Sequence, residues 1–472
     1  MQVENIEDIY ELSPIQKGIL FHSLFAPELG LYFFQMPFLL RGNLNVDAFS
    51  SAWEQVANRH ASLRTGFFWQ DINKPLQVVY QQVTVPLEQF DWRGLNSAEQ
   101  EEQLNTFLER DRARLFDLSQ ECLMRLTLFR LADNCYQFIW SRHFMAMDGW
   151  SIPTILAEVL QIYKAICEGK KVDLAPSILY REYIEWLQKQ DVAKAQTYWR
   201  QAIGELRSPT SLTNLDASSA FNSEEKYDEQ RIYLSPETTA ALQSFSRQHQ
   251  LTLSTIFQGA WAMLLSYYSG DRKVVYGCTV AGRPVELLQD EPLIGLFVNS
   301  LPVWIEVDSD QSLLVWLRQL QEHLLEMRQY EWSPLVDIQG WSQVPRSKPL
   351  FESILVYENA PVDSLLEKWE GNLEVSNSTI FSNAPNFYKT NYPLTVAVYP
   401  DLKFCIGINY DFRRFELATI THILEDFERL IQGILAQPKA LLKELLLPID
   451  REYPMTLSLE REVTFSFELS AA

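Results

Sequence analysis

The stretch RHFMAMDGW, residues 142–150, decides how the fold is predicted. It continues an apolar run at 136–141 that has the composition of a strand. Asp148-Gly149 turns the chain sharply, and apolar residues at helical spacing follow over 153–167. The sequence therefore predicts a strand, a turn that carries His143, and a helix, in that order.

The turn at 143–149 has the form that a catalytic base requires. A general base has to lie on a rigid turn at the edge of a channel, close to the attacking group. A single histidine near the end of a strand is nevertheless more often a packed core residue. The functional interpretation therefore needs support from other parts of the chain.

Helices and strands alternate on both sides of this turn, which predicts an α/β protein. Met124, Leu126 and Leu128 alternate with polar residues, so a second strand is expected beside the first. A stretch rich in Ser, Thr, Asn and Asp at 205–226 is predicted to be a surface crossover between two halves. Other helices are predicted from Ser13-Pro14 onward and at 48–59, 236–248, 254–269, 313–327 and 417–436, and other strands at 273–279 and 301–307.

The end of the chain alternates apolar and polar residues at 455–459 and 463–469. This alternation predicts a pair of strands rather than a linker into another domain. Two alternatives stay open, a free-standing protein and a chain that stops at an unusual place.

Length and charge narrow the class of protein. With 472 residues, two lobes of roughly 150 to 250 residues each are expected. The 40 basic and 61 acidic residues give a net charge of −21, which argues against nucleic acid or an anionic membrane as a partner. The first ten residues have no secretory signal pattern, and no apolar run reaches the roughly 18 residues of a membrane span.

The cysteines indicate a reduced compartment. Their number is odd and none forms the close pairs of metal or redox motifs, so we expect a cytoplasmic protein with no metal. We also expect all five to be small buried hydrophobic residues. They are Cys122, Cys135, Cys167, Cys278 and Cys405.

The turn at 143–149 and several other segments resemble the condensation domains of nonribosomal peptide synthetases. Each segment is weak alone, but their order and spacing together match that family over nearly all of residues 5–445. The segments are LSPIQ at 12–16, RHASLRT at 59–65, HFMAMDG at 143–149, YREYIEW at 180–186, IGLFVNSLP at 294–302, LFESILVYEN at 350–359 and NYPLT at 391–395.

The resemblance implies two lobes, each like chloramphenicol acetyltransferase, that form a V-shaped pseudodimer with a central tunnel. It divides the chain into an N-terminal lobe at 1–178 and a C-terminal lobe at 179–472, which includes a floor loop and a latch. Carrier proteins would deliver thioesters on phosphopantetheine arms to the two mouths of the tunnel. No permanently bound cofactor is implied, and a monomer is favoured because the paired lobes already form the interface.

The family motif is two histidines, three variable residues and Asp-Gly, and its second histidine orients or deprotonates the attacking amine. Alignment on Asp148-Gly149 puts His143 at the first position and Phe144 at the second. Phe144 can neither accept a proton nor donate a hydrogen bond. His143 is expected to point to the opposite side and to pack structurally, so it does not substitute.

Other site residues follow from the same resemblance. Asp148 is expected to pair with an arginine of the other lobe, and Arg283 is the candidate, with an exposed loop arginine as the alternative. Arg64 is expected to hold the N-terminal lobe together through buried hydrogen bonds. The family usually has an arginine where this chain has Trp304, a second departure. The expected tunnel residues are Met147, Trp150, Asn299 and Trp304.

Two functions stay open. The first is amide-bond formation between carrier-bound donor and acceptor, impaired or altered because Phe144 replaces the histidine. The second is an inactive docking module that binds carrier proteins or other enzymes of the synthetase. Heterocyclising relatives fit less well, because they have aspartate where this chain has His143. The segment at 13–24 resembles the subtype that joins two L-residues, and basic residues at 110–114 and 170–171 are weak candidates for carrier docking.

Overall fold

The computed structural model describes residues 5–450 except 26, 28–29, 213–214, 216–226, 289–290, 359–361, 368, 370, 372, 378–389 and 401–403. The predicted strands at 455–459 and 463–469 lie outside the described residues. Among the described helices, none combines the length and the apolar character that crossing a membrane requires.

The first half of the chain contains seven strands and six helices among its described residues. The strands are β1 Ile6–Glu11, β2 Phe33–Gly42, β3 Thr65–Phe68, β4 Leu76–Tyr80, β5 Leu87–Asp91, β6 Met124–Ala132 and β7 Cys135–His143. The helices are α1 Pro14–Phe25, α2 Val46–Arg59, α3 Ser97–Ala113, α4 Ile152–Cys167, α5 Tyr180–Gln188 and α6 Val192–Ile203.

The second half contains seven further strands and seven further helices among its described residues. The strands are β8 Tyr227–Tyr233, β9 Lys273–Val280, β10 Asn299–Glu306, β11 Ser353–Tyr357, β12 Leu373–Asn377, β13 Leu394–Tyr399 and β14 Cys405–Asp411. The helices are α7 Pro236–His249, α8 Leu253–Ser269, α9 Leu313–Arg328, α10 Leu335–Trp341, α11 Val362–Glu367, α12 Leu417–Ala436 and α13 Leu442–Asp450.

Strand β7 runs through the middle of a five-stranded sheet with the order β12-β2-β7-β6-β5. Its residues are buried on both faces of the sheet. Trp140 packs against Trp53 of α2, and Ile139 on the opposite face belongs to a cluster with Leu104 of α3. This burial explains the apolar run at 138–140 in β7, and it fixes the end of β7 where the turn begins.

The second half is built on a six-stranded mixed sheet with the order β10-β9-β11-β13-β14-β8. Helix α8 is buried nearly all round, as its apolar composition requires. Strand β9 and strand β10 are antiparallel neighbours, with Val280 opposite Asn299. This pairing places the loop after β9 and the start of β10 at the same end of the two strands.

A strand from the second half of the sequence completes the sheet of the first half. Strand β12 belongs to the second half of the sequence, yet it pairs with β2 of the first half, with Val375 opposite Leu40. An isolated parallel bridge also joins Ile178 to Leu293. The α/β class with sheets covered by helices is confirmed, whereas the division of the chain at 178/179 stays a prediction.

Two expectations from the sequence need correction. The crossover at 205–226 does not lie wholly on the surface, because Leu206, Leu212 and Leu215 are buried in the core of the second half. Of the five cysteines expected to be buried, only Cys278 and Cys405 are, since Cys122 and Cys135 are partly exposed and Cys167 is exposed. Cys167 is the last residue of α4, beyond the part of the helix that faces the core.

Candidate active site

The end of β7 sends consecutive side chains into two different cavities. The backbone N–H of His143 donates to Leu123 on one side, and that of Phe144 donates to Tyr32 on the other. The His143 side chain lines a cavity of about 230 Å³ within the first half. The Phe144 side chain lines a larger cavity of about 690 Å³ to which both halves contribute.

His143 is a buried neutral imidazole. Its Nδ1 accepts a hydrogen bond from the backbone N–H of Met145 at 3.2 Å, which leaves the ring proton on Nε2. Burial, with a smaller contribution from the charge of Arg142, lowers the pKa of His143 to about 3. His143 therefore faces away from the larger cavity and does not titrate near neutral pH.

Phe144 forms an aromatic wall of the larger cavity. Its ring centroid lies 5.2 Å from that of Phe34 and 6.4 Å from that of Tyr32. These distances are typical of packed aromatic pairs. Tyr32 also donates from its hydroxyl to Oδ1 of Asn391 at 3.1 Å, so the wall is linked across the cavity to the second half.

Asp148, four residues after Phe144, is fully buried and accepts hydrogen bonds from both halves. Within the turn it accepts from the backbone N–H and the hydroxyl of Ser151, each at 3.2 Å. From the second half it accepts from the N–H groups of Phe297 at 3.0 Å and Val298 at 3.3 Å. The carboxylate is therefore a structural joint between the two halves.

Arg283 completes this joint. Its two terminal nitrogens donate to the two carboxylate oxygens of Asp148 at 2.9 and 2.7 Å, which is the bidentate geometry that favours arginine over lysine. The guanidinium also lies 4.7 Å from the centre of the Phe297 ring. Arg283 is therefore a mostly buried partner of Asp148 rather than an exposed loop residue.

Gly282 allows Arg283 to reach that position. Its φ is +62° and a Cβ there would collide with the carbonyl oxygen of Phe297. A residue with a side chain would meet both the left-handed backbone conformation and this collision. The chain thus needs glycine directly before Arg283.

The second half lines the cavity with polar groups. Asn299, at the start of β10, donates from Nδ2 to the backbone carbonyls of Glu331 at 2.9 Å and Ser333 at 2.8 Å. Burial raises the pKa of the Glu331 side chain to about 7. Glu358 directly follows β11. Its Oε2 atom lies 3.5 Å from the position that a Cβ would have at Gly149.

The structure gathers some of the expected site residues and leaves others outside. Phe144, Gly149, Trp150 and Asn299 line the larger cavity, while His143 lines the smaller one. Met147 and Trp304 do not belong to the lining and correct the expected set of tunnel residues. The reason for Met147 is that its side chain is buried in the core beside α4.

Trp304 is excluded for a different reason. It lies in β10 beyond Asn299 and packs at the border of the second core, with the Lys273 ammonium 4.2 Å from its ring centre. Arg64 likewise lies away from the cavity. It donates to the carbonyls of Asn58 and Tyr80 and to the carboxylate of Glu7, so it ties together β1, β4 and the end of α2.

Sequence reasoning did not single out several residues that line the cavity, among them Glu358, Tyr32 and Glu331. Glu358 lies within LFESILVYEN, a segment that carried the family resemblance, so its position at the end of a strand was an available signal. Tyr32 has a positive φ of 64°, which no sequence pattern announced. Glu331 belongs to no motif, and only the folded chain brings it to the cavity.

Exposed apolar side chains from both halves lie on helices that line the cavity. Helix α1 presents Phe21 and Phe25, stacked with centroids 5.6 Å apart, and α1 residues Gly18 and His22 line the cavity itself. Leu325 of α9 and Val336 of α10 are exposed and line the same cavity from the other half. Exposed apolar residues grouped in this way are typical of a protein-binding surface.

Two of the basic residues proposed for docking form ion pairs on the surface. Arg114 is paired with Glu88 at 2.9 Å, and Lys170 is paired with Glu168 at 2.6 Å. Within the described ranges, no group of three or more His, Cys, Asp or Glu side chains is arranged to hold a metal ion.

Comparison with known proteins assigns the fold and the family. The family described as "Condensation domain" matches residues 6–456. One of the proteins that make up the linear gramicidin synthase of Brevibacillus parabrevis is 40% identical over 484 residues, covering 99% of this chain and 9% of that protein. A second protein of the same synthase is 40% identical over 457 residues, covering 97% of this chain and 6% of that protein. The chain therefore spans less than a tenth of the length of these relatives.

Solved structures agree on the fold. The first condensation domain of the calcium-dependent antibiotic synthetase, in complex with a substrate analogue, superposes with a TM-score of 0.75 at 17% identity and covers 93% of this chain and 99% of that one. The X-domain in complex with OxyB, from teicoplanin biosynthesis, has a TM-score of 0.75 at 22% identity, covering 94% and 96%. At these identities the likeness describes the fold alone.

Proposed function

The chain belongs to the condensation-domain family of nonribosomal peptide synthesis, and from that premise we propose that it forms an amide bond between two carrier-bound substrates. Condensation domains are acyltransferases that form peptide bonds. The observation that carries the proposal is the open cavity of about 690 Å³ between the halves. Its wall contains Phe144 and Gly149 of the motif, and Asp148 and Arg283 brace the turn behind it.

We propose that Phe144 occupies the position of the second motif histidine. Its alignment on Asp148-Gly149 and its place in the cavity wall support this assignment. Loss of a positioned general base typically costs about 10²- to 10⁴-fold in rate. Holding two thioesters in one cavity retains the orientation effect, so the reaction is slowed rather than abolished. The segment at 13–24 supports a subtype that joins two L-residues.

Carrier proteins with phosphopantetheine arms are the proposed partners, alongside the other modules of a synthetase. The exposed apolar side chains of α1, α9 and α10 support this proposal, since these helices line the cavity that an arm would enter. A cytoplasmic monomer with an N-terminal lobe at 1–178 and a C-terminal lobe at 179–472 belongs to the same proposal.

The test is a single-turnover assay with donor and acceptor loaded on separate carrier proteins and detected by mass spectrometry of the tethered product. The native chain is expected to form the amide, and Phe144→His to form it about 10-fold faster or more, because the imidazole restores a base. Phe144→Leu is the matched control, since it keeps an apolar wall, and its rate should equal that of the native chain. Absence of product from both the native chain and Phe144→His, across a panel of aminoacyl carriers, contradicts the proposal.

An inactive docking module is the second candidate. The observation in its favour is the aromatic wall of Phe144, Tyr32 and Phe34, which has no titratable group near neutral pH. The size of the cavity favours the enzyme, because a module that only docks has no need of an open chamber. Carrier binding by the native chain, with amide formation only after Phe144→His, identifies the docking module.

A further inference from the structure

We propose that Glu358 is the catalytic proton acceptor of this site and does the work for which position 144 has no suitable side chain. The inference rests on the proposed amide-forming function and identifies the group that makes it possible. It starts from a chemical need. The α-amino group of an acceptor has a pKa of about 8 in its ordinary state, so it arrives largely as ammonium and must lose a proton before it attacks.

The cavity contains few groups that can take this proton. Among its described lining residues, the carboxylates are Glu331 and Glu358, and the imidazole is His22. His22 belongs to α1, whose next turn carries the exposed Phe25, so it lies toward the mouth. The choice is therefore between the two carboxylates.

Glu358 is the carboxylate that touches the motif turn. Its Oε2 lies 3.5 Å from the Cβ position of Gly149, and Gly149 lines the cavity together with Phe144. The residue directly follows β11, and its backbone N–H donates to the carbonyl of Val398 on β13 at 2.8 Å. A strand end held by a neighbouring strand is a rigid support for a catalytic side chain.

Glu331 stands in a different part of the cavity. It lies in the loop that follows α9, and its backbone carbonyl accepts from Asn299. Its charge acts on Cys278 of β9, which also lines the cavity, and on Tyr183 of α5, which does not. Glu331 is thus the competing acceptor that the experiment has to separate from Glu358.

The step balances without any added reagent. The acceptor ammonium gives one proton to the Glu358 carboxylate, and the neutral amine attacks the thioester carbonyl carbon. The C–N bond forms, the C–S bond breaks, and the phosphopantetheine sulfur leaves as a thiol with the second proton of the nitrogen. The products are the amide, the free thiol and protonated Glu358, which returns its proton to water.

The experiment compares single-turnover amide formation by the native chain, Glu358→Gln, Glu331→Gln and the surface control Glu306→Gln. Glu358→Gln is expected to lower the rate about 10²-fold, the usual effect of a lost general base, while Glu306→Gln matches the native chain. Glu358→Asp keeps the carboxylate and should recover part of the rate. In the Phe144→His background, Glu358→Gln is expected to cost less, since the imidazole supplies a second acceptor.

An acceptor with a fluorinated side chain separates proton transfer from structure. Fluorine on the β-carbon lowers the pKa of the α-amino group, so the amine arrives neutral and needs no base. This acceptor should restore most of the rate of Glu358→Gln, and restoration supports the proposal. An equal deficit with both acceptors shows a structural role and overturns it.

Other outcomes are equally decisive. A Glu358→Gln rate within threefold of the native rate, or a loss confined to Glu331→Gln, overturns the inference while the amide-forming function stands. No amide from the native chain, with amide from Phe144→His, removes both the function and the role of Glu358. A folded state of Glu358→Gln that matches the native chain in urea denaturation excludes unfolding as the cause of any loss.

Discussion

Asp148 and Phe144 lie four residues apart on one turn, yet their surroundings are opposites. Asp148 accepts six hydrogen bonds, two of them from Arg283, whereas the Phe144 ring meets the rings of Tyr32 and Phe34. The part of the motif that joins the two halves is complete. Position 144, which we propose corresponds to the histidine that performs proton chemistry in the family, is apolar, so the scaffold and the chemistry of a site can vary independently.

Asp148→Ala is the substitution with the largest expected effect, because it removes the carboxylate that joins the two halves. It leaves the mostly buried Arg283 without its carboxylate, and removal of one partner of a buried ion pair typically costs about 3–5 kcal/mol. Urea denaturation should show a loss of this size in the free energy of unfolding. Asp133→Ala is the control, because Asp133 is 85% exposed and its surface ion pairs are worth about 0–1 kcal/mol. Equal losses in the two variants contradict the joint.

The second prediction compares the two cavities by how their ionisable side chains change the free energy of unfolding with pH. The pKa of His143 falls from its ordinary 6.5 to about 3 on folding, so the unfolded chain binds more protons between these values. The contribution of neutral His143 to the free energy of unfolding is complete above pH 6.5 and is lost as the pH falls toward 3. At pH 5 this loss amounts to about 2 kcal/mol. His143→Gln should flatten the slope of unfolding free energy against pH in this window.

For Glu331 the slope of the free energy of unfolding against pH is expected to have the opposite sign to that for His143. Its pKa rises from 4.5 to about 7 on folding, so the folded chain binds more protons and stability falls as the pH rises from 4.5 to 7. Glu331→Gln should therefore gain stability toward pH 7 relative to the native chain. Parallel curves for His143→Gln, Glu331→Gln and the native chain would show that neither side chain is titrated as described.

The smallest expected effect separates backbone strain from packing at the joint. Gly282→Ala meets both a positive φ of +62° and the carbonyl of Phe297, whereas Gly270→Ala meets a positive φ of +77° with nothing within 4 Å. Each incurs the left-handed penalty of about 1–2 kcal/mol, and Gly282→Ala should lose about 1 kcal/mol more from overpacking. Thermal unfolding of both variants measures the difference. Equal losses contradict the close approach of Phe297.

Hydrophobic periodicity placed the elements that it predicted closely, because it reports burial directly, but helices α3 Ser97–Ala113 and α6 Val192–Ile203 were not predicted. The predicted helix at 153–167 is observed as Ile152–Cys167 and the predicted strand at 273–279 as Lys273–Val280. The second predicted strand at 301–307 begins earlier, at Asn299, because the ladder with β9 extends to the Val280–Asn299 pair. Boundaries of this kind depend on a partner strand that periodicity does not identify.

The site was harder to predict than the fold. His143, Phe144, Asp148 and Arg283 lie in segments with recognisable residue types, so a resemblance could point to them. Glu331 reaches the cavity only through the packing of the loop after α9. The family resemblance led us to expect Met147 and Trp304 in the cavity, but Met147 is buried in the first core and Trp304 packs at the border of the second.

The pairing of β12 with β2 has a consequence for how this domain is made and re-engineered. Strand β2 leaves the ribosome long before residues 373–377 do, so it waits with one edge unpaired, and such edges favour association with other chains. A recombinant that joins the first half of this chain to the second half of a relative also replaces that strand. Chimeras should therefore exchange β2 and β12 together, since a break between the two halves in sequence is not a break in the sheet.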